Sequence, residues 1–120
     1  MRAFARLGLP ILLTVAPGLA RADELPPFEG QTIADPVLKR DVLAIVTPIV
    51  HAKLGCSAID RVEAQPAVRH PHVALPEAAG PATYEQWTVS ACSKKQPFVI
   101  TLYPAKGGGM MFQVRPASDS

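Results

Sequence analysis

Three runs of alternating apolar and polar residues between positions 84 and 115, each ended by a turn, leave the rest of the chain few ways to fold. Tyr84 to Ala91 (YEQWTVSA) sets Trp87, Val89 and Ala91 on one face. Phe98 to Tyr103 (FVITLY) sets Phe98, Ile100 and Leu102 on one face and Val99, Thr101 and Tyr103 on the other. Met110 to Arg115 (MMFQVR) turns Met110, Phe112 and Val114 inward. Side chains alternate across a strand, so each run is a strand with one apolar face. Ser93 to Pro97 and Pro104 to Gly109 supply turns, and the prediction is a three-stranded antiparallel meander. Ser57 to Ala64 (SAIDRVEA) is a candidate fourth strand.

A meander with one apolar face needs a cover, and the chain provides one helix. Asp35 is placed to cap it and Pro36 to occupy its first turn, where a missing N–H costs nothing. Leu38, Val42, Ile45 and Ile49, with Val46 and Val50, recur at helical spacing, while Lys39, Arg40 and Asp41 fall opposite. Pro48 cannot donate to the ladder, so the helix must kink or restart there, with Thr47 as a second cap. Gly55 ends it. The expected fold is α+β: one kinked N-terminal helix on a three- to four-stranded antiparallel meander.

The N-terminus reads as an export signal. Arg2 and Arg6 form a positive start, Leu7 to Val15 (LGLPILLTV) an apolar stretch, and Ala20-Arg21-Ala22 a small-x-small cleavage pattern. Spanning a membrane takes about 20 apolar residues, roughly twice this run. Cleavage after Ala22 leaves a mature chain of 98 residues, one domain's worth. It also removes three of the 12 basic residues and none of the 10 acidic ones, leaving nine against ten. That near-neutral balance gives no electrostatic footing for nucleic acid. Lys94, Lys95, Lys106 and Arg115 are read as a solvated rim. The expected organisation is residues 1–22 as signal, 23–34 as an extended arm anchored by Phe28 and Ile33, 35–116 as the domain and 117–120 as a disordered tail.

Cys56 and Cys92 are the only cysteines, and in an oxidising compartment they pair. A redox pair is spaced C-x-x-C, whereas these are 36 apart. The bridge is therefore expected to be structural, worth roughly 3–4 kcal/mol on loop-closure arguments.

Chemistry-bearing groups are few. His70-Pro71-His72, with Met110 or Met111 adding thioethers, is the one pattern of metal-ligating type, suited to copper or zinc. Solvated loop histidines are the alternative, and no metal or cofactor is expected. His51 falls near the helix end, where a positive charge is favoured. Gly107-Gly108-Gly109 joins two strands, whereas a phosphate cradle joins a strand to a helix, so it is read as turn chemistry. Ser57, Ser90 and Ser93 lack the surroundings of a nucleophile, and Asp60, Glu63, Glu77 and Glu85 show no pairing of carboxylates. No catalytic residue is assigned. Trp87 is expected in the core; its other reading is a surface anchor for a partner, with Tyr84 and Tyr103 joining such a patch on the other sheet face. Residues 65–82 carry four prolines and form a long loop, of a length that in a compact domain is often functional or disordered.

The stretch Trp87-Thr88-Val89-Ser90-Ala91-Cys92-Ser93-Lys94, followed by Phe98-Val99-Ile100 and a glycine-rich turn, resembles the C-terminal hairpin of small, mostly uncharacterised exported proteins of Gram-negative bacteria. In these, W-x-V-x-A-C-G-K precedes an aromatic-rich strand; here Ser93 stands where glycine is commoner. The resemblance covers roughly residues 84–115, implies a periplasmic setting and carries no catalytic residue across. The function expected is that of a periplasmic or secreted binding or accessory module whose partner is another periplasmic or envelope protein. A metal-handling protein and a small hydrolase are the alternatives.

Overall fold

The computed structural model describes residues 24–67 and 74–117. The signal reading of residues 1–22, His70 and His72, and the tail residues 118–120 lie outside them. The chain order is β1 (Phe28–Gly30), α1 (Pro36–Leu54), β2 (Ile59–Pro66), β3 (Thr83–Ala91), β4 (Lys94–Pro104) and β5 (Met110–Pro116). The strands form one five-stranded sheet in sequence order, antiparallel except that β1 pairs parallel to β2. The α+β class and the meander are present, but the sheet has five strands rather than three or four. The expected extended arm supplies the extra one, so the domain begins in that arm.

The helix starts where its caps place it. Asp35 accepts a hydrogen bond from the Leu38 N–H at 2.8 Å, and Gly55 closes the other end in the left-handed conformation, its N–H on the His51 carbonyl. Pro48 does not force a restart: α1 runs unbroken from Pro36 to Leu54. Thr47 is not a second cap; its hydroxyl donates to the Leu43 carbonyl at 2.7 Å, one residue before the carbonyl that Pro48 deprives of a partner. Leu38, Val42, Leu43, Val46 and Val50 are buried, whereas Ile45, placed in the buried stripe from its spacing, is exposed. Lys39 does not point away from the sheet either: its ammonium lies 4.6 Å from the Phe28 ring centre.

The core lies between α1 and the sheet face carrying Val62, Ala64, Trp87, Val89, Ala91, Phe98, Ile100 and Leu102. Met110 shares that face but sits past the covering helix and is exposed. Thr101 and Tyr103 are buried on the opposite face. There the loop before β3 folds back onto β4 and the β4–β5 turn. Ala79 N–H donates to the Pro104 carbonyl, Lys106 N–H to Glu77, and the Gln113 amide to Ala74. Residues 74–82 are thus a fitted cover.

The β3–β4 turn is tighter than expected. Ala91 pairs with Lys94, so Cys92 and Ser93 alone make it, with φ of 54° and 62°. Two central residues at positive φ mark the mirror-image turn that suits strand twist. Pro97, expected in the turn, lies in β4. Its carbonyl accepts from Ala117 beyond the end of β5, so its missing N–H would face that same unladdered edge. Glycine adopts φ near 60° without the crowding that serine suffers. Ser93→Gly is therefore expected to stabilise the oxidised domain by about 0.5–1 kcal/mol. Thermal unfolding should show a midpoint raised by roughly 4 °C; an unchanged or lowered midpoint would refute the assignment of this turn.

The cysteines form the expected disulfide, with Cα atoms 6.3 Å apart. Cys56 follows the helix-terminating Gly55 and Cys92 opens the β3–β4 turn, so the bridge ties the end of α1 to the end of the sheet.

Candidate functional site

Glu85 is the one buried carboxylate among the described residues, and all of its hydrogen bonds are internal. Its Oε1 accepts from the Thr32 hydroxyl at 2.6 Å and the Trp87 indole N–H at 2.8 Å, and its Oε2 from the Ile33 N–H at 2.8 Å. Thr32 in turn accepts from Ala34 N–H at 3.0 Å. These bonds fasten the segment between β1 and α1 onto β3. Phe28 extends the junction, its ring edge-on to Trp87 at 4.9 Å between centres. Sequence reading left Glu85 unmarked, yet the signal was there: it shares strand parity with Trp87, Val89 and Ala91 and so had to face inward. Three donors on a buried carboxylate make it a fastening rather than a free acid or base. Glu85→Gln keeps the shape but turns an N–H towards the Ile33 N–H. The expected cost is about 2 kcal/mol, read as a midpoint lowered by roughly 10 °C; wild-type stability would show that Oε2 is not the Ile33 acceptor.

The residues proposed as a binding surface do not form one. Trp87 and Tyr103 are buried on opposite faces of the sheet, leaving Tyr84 half-buried beside a cleft of about 170 Å³ with Gln31, Thr32 and Pro66. The sequence-level metal pattern divides too: Met110 is described, at the start of β5, and the two histidines are not. Among the described residues no group of three or more His, Cys, Asp or Glu side chains converges. Of the four basic residues read as a rim, Lys94 and Lys95 join Arg61, Asp60, Ser90 and Ser93 around an open cleft of about 240 Å³. Lys106 lies in the β4–β5 turn at the other end of β4, and Arg115 in β5. A cleft of about 430 Å³ runs along the β2-side flank of α1, where Glu24, Arg40, Thr47 and Ser57 meet Leu25, Leu43 and Ile59.

A different surface stands out, and one flank of the helix carries it. Among the described residues the large apolar side chains left exposed are Ile33 (56%), Val37 (60%), Ile45 (49%) and Met110 (43%). Ile33, Val37 and Met110 border one cleft of about 260 Å³, with Asp35 and Asp41 on its rim. Ile45 lies one turn beyond Asp41 along the same helix flank, since residues four apart are neighbours there. The patch sits at the β5 side of the sheet, because Arg40, Ala44 and Thr47 mark the flank on the β2 side. Sequence reading missed it by treating Ile45 and Met110 as core and the Ile33 side chain as an anchor of the arm. Phe28 does pack on the core, whereas Ile33 is exposed.

No helix among the described residues is long and apolar enough to cross a membrane. Comparison with protein-family models, curated proteins and solved structures finds no match to this chain.

Proposed function

We propose that this chain is an exported, non-enzymatic accessory module, periplasmic or secreted, that acts by binding protein through the apolar flank of α1. The observation that carries the reading is the gathering of Ile33, Val37, Ile45 and Met110 on one side of the molecule. Scattered apolar residues are ordinary on a surface, whereas a contiguous group rimmed by charge marks a contact site. The acidic rim of Asp35 and Asp41 supplies orientation rather than much affinity. The disulfide supports the compartment, since such bridges persist where the environment is oxidising. The internal use of Glu85 supports a role without catalysis, as its carboxylate is committed to holding the fold.

The test is positional. The full-length chain, tagged at its C-terminus, is expressed in a Gram-negative host with a photo-crosslinking residue at Ile45 or, as control, at Thr88 on the opposite sheet face. The periplasmic fraction should release a chain beginning at Asp23 and show crosslinked protein at position 45 but not at 88. Retention of residues 1–22 in the cytoplasm would overturn export, and equal adducts at the two positions would overturn the flank.

A further inference from the structure

The helix leaves apolar side chains on a flank that the sheet beneath it does not cover. Leu38, Val42, Val46 and Val50 meet the core, while Val37 and Ile45 stay exposed on the β5-side flank, one turn to either side of Asp41. An apolar flank left uncovered beside a sheet edge is what remains visible when a further strand belongs there. Among the described residues no strand pairs with the outer edge of β5. The residue sums of the paired bonds Ala117 N–H to Pro97 and Ala105 N–H to Gly109 give the phase of the β4–β5 ladder. In that phase Met111, Gln113 and Arg115 bond to β4, while the backbone groups of Met110, Phe112 and Val114 point outward.

Natural sheets blunt such an edge with charge, proline or brevity. The other edge follows the rule: β1 is three residues long and carries Glu29. By contrast β5 is seven residues long, and Met110 to Val114 holds neither charge nor proline. We infer that β5 pairs antiparallel with β5 of a second copy, about a two-fold axis at Gln113, joining two sheets into one of ten strands. This names the partner for the flank under the protein-binding reading and rests on that reading.

The strand is complementary to itself in this register. Phe112 and Val114 of one copy face Val114 and Phe112 of the other, and each pair exchanges two outward backbone bonds. Met110 donates to the carbonyl of Pro116, which has no N–H to leave unmatched and ends the ladder. Arg115, the one charge in β5, meets Met111 and not its own copy. Slipping the register by one residue, which would put the axis between two residues, would bring bonded groups opposite outward ones and lose the ladder. Moving the axis onto Phe112 or Val114 keeps the phase but ends the match of Phe112 with Val114.

A two-fold axis that pairs strands antiparallel stands perpendicular to the sheet, so both helices lie on the same face. Each turns its β5-side flank towards the axis, and Val37, Ile45 and Met110 of the two copies close over one trough. An unrelated extended peptide would fill the edge but leave that flank open. A seven-residue edge is about 24 Å long. With the flank above it, each copy offers on the order of 500 Å², near the roughly 1,000 Å² in total that a specific dimer requires.

The experiment is sedimentation equilibrium of the oxidised mature chain, residues 23–120, from about 1 to 200 µM, together with two variants. Val114→Pro removes an outward N–H without touching the β4 ladder, and Ile45→Lys charges the flank without entering the core. The wild type should sediment at twice the monomer mass, and each variant, shown folded by circular dichroism, should weaken the dimer at least tenfold. Amide exchange at Phe112 and Val114 should slow as protein concentration rises. A dimer equally strong in both variants would place the contact elsewhere and overturn the inference. A wild-type monomer at 200 µM would also overturn it. In that case crosslinks to another protein at position 45 would leave the binding reading standing, and their absence would remove both.

Discussion

Gly30→Ala is expected to release β1 and lower the stability of the domain by about 4 kcal/mol. Gly30 pairs with Ala64 at φ of 89°, and a Cβ there would lie 2.0 Å from the Ala64 carbonyl oxygen. That atom belongs to a strand held on its other side by β3, so it cannot give way. The chain must lift off instead. With it go the bonds from Gln31 N–H to Ala64 and from Val62 N–H to Pro27, each worth about 1 kcal/mol. Phe28 leaves its edge-on contact with Trp87, worth about 1.5–3 kcal/mol in burial and ring contact together. Thr32 and Ile33 are drawn away from Glu85, which is left buried among fewer donors. The measurement is thermal unfolding, with a midpoint lowered by roughly 20 °C. Gly55→Ala is the control: φ there is 85°, yet nothing lies within 4 Å of the added Cβ. It should cost only the left-handed penalty, about 1 kcal/mol. Equal effects at the two glycines would mean that conformation, and not the approach of β2, governs position 30.

That same residue shows where sequence reading stops. Asp35, Pro36 and Gly55 announce the helix because caps are local chemistry, and alternation announces β3 to β5 because a half-buried strand repeats every second residue. Phe28–Gly30 has neither advantage. Three residues hold no period, and their partner, Val62 to Ala64, is more than thirty positions away across the helix. Parallel pairing leaves no turn to betray it. The flank was hidden for a related reason. Helical spacing says that Ile45 belongs to an apolar stripe, but not how many strands lie beneath it, and here the sheet leaves it uncovered. Trp87 and Tyr103 share an aromatic character that suggests a surface, but their positions differ by an even number while they lie on adjacent antiparallel strands. Alternation already set Tyr103 on the face away from Phe98, Ile100 and Leu102, and the register, with Trp87 opposite Phe98, places the two rings on opposite faces. What alternation did not show is that Tyr103 is buried there as well. Glu85 was within reach: parity alone placed a carboxylate on the buried face, and the sole question left was which donors met it.

Removing the disulfide should have a comparable effect by a different route. Cys56→Ser with Cys92→Ser takes away no large apolar contact, yet it frees a loop whose ends are 36 residues apart. The entropy restored to the unfolded chain corresponds to about 3–4 kcal/mol. Domains of this size are stable by only about 5–10 kcal/mol. The midpoint of unfolding should therefore fall by roughly 20 °C, and reduced wild-type protein should unfold with the double variant. The folded state makes its own demand at this point, since Cys92 and Ser93 hold positive φ in a two-residue turn that neither residue favours. A turn of unfavourable residues is retained there because the bridge keeps it closed against the end of α1. Ser93→Gly should then recover more of the midpoint in the bridgeless protein than it adds to the oxidised one, because only the former must close the turn unaided. If the two gains are equal, turn and bridge act independently, and the loss on reduction is loop entropy alone. If the bridgeless protein unfolds within 5 °C of the wild type, the bridge contributes nothing to stability. The staple would then leave the compartment argument without its energetic basis, since a domain that folds as well reduced has no need of an oxidising environment.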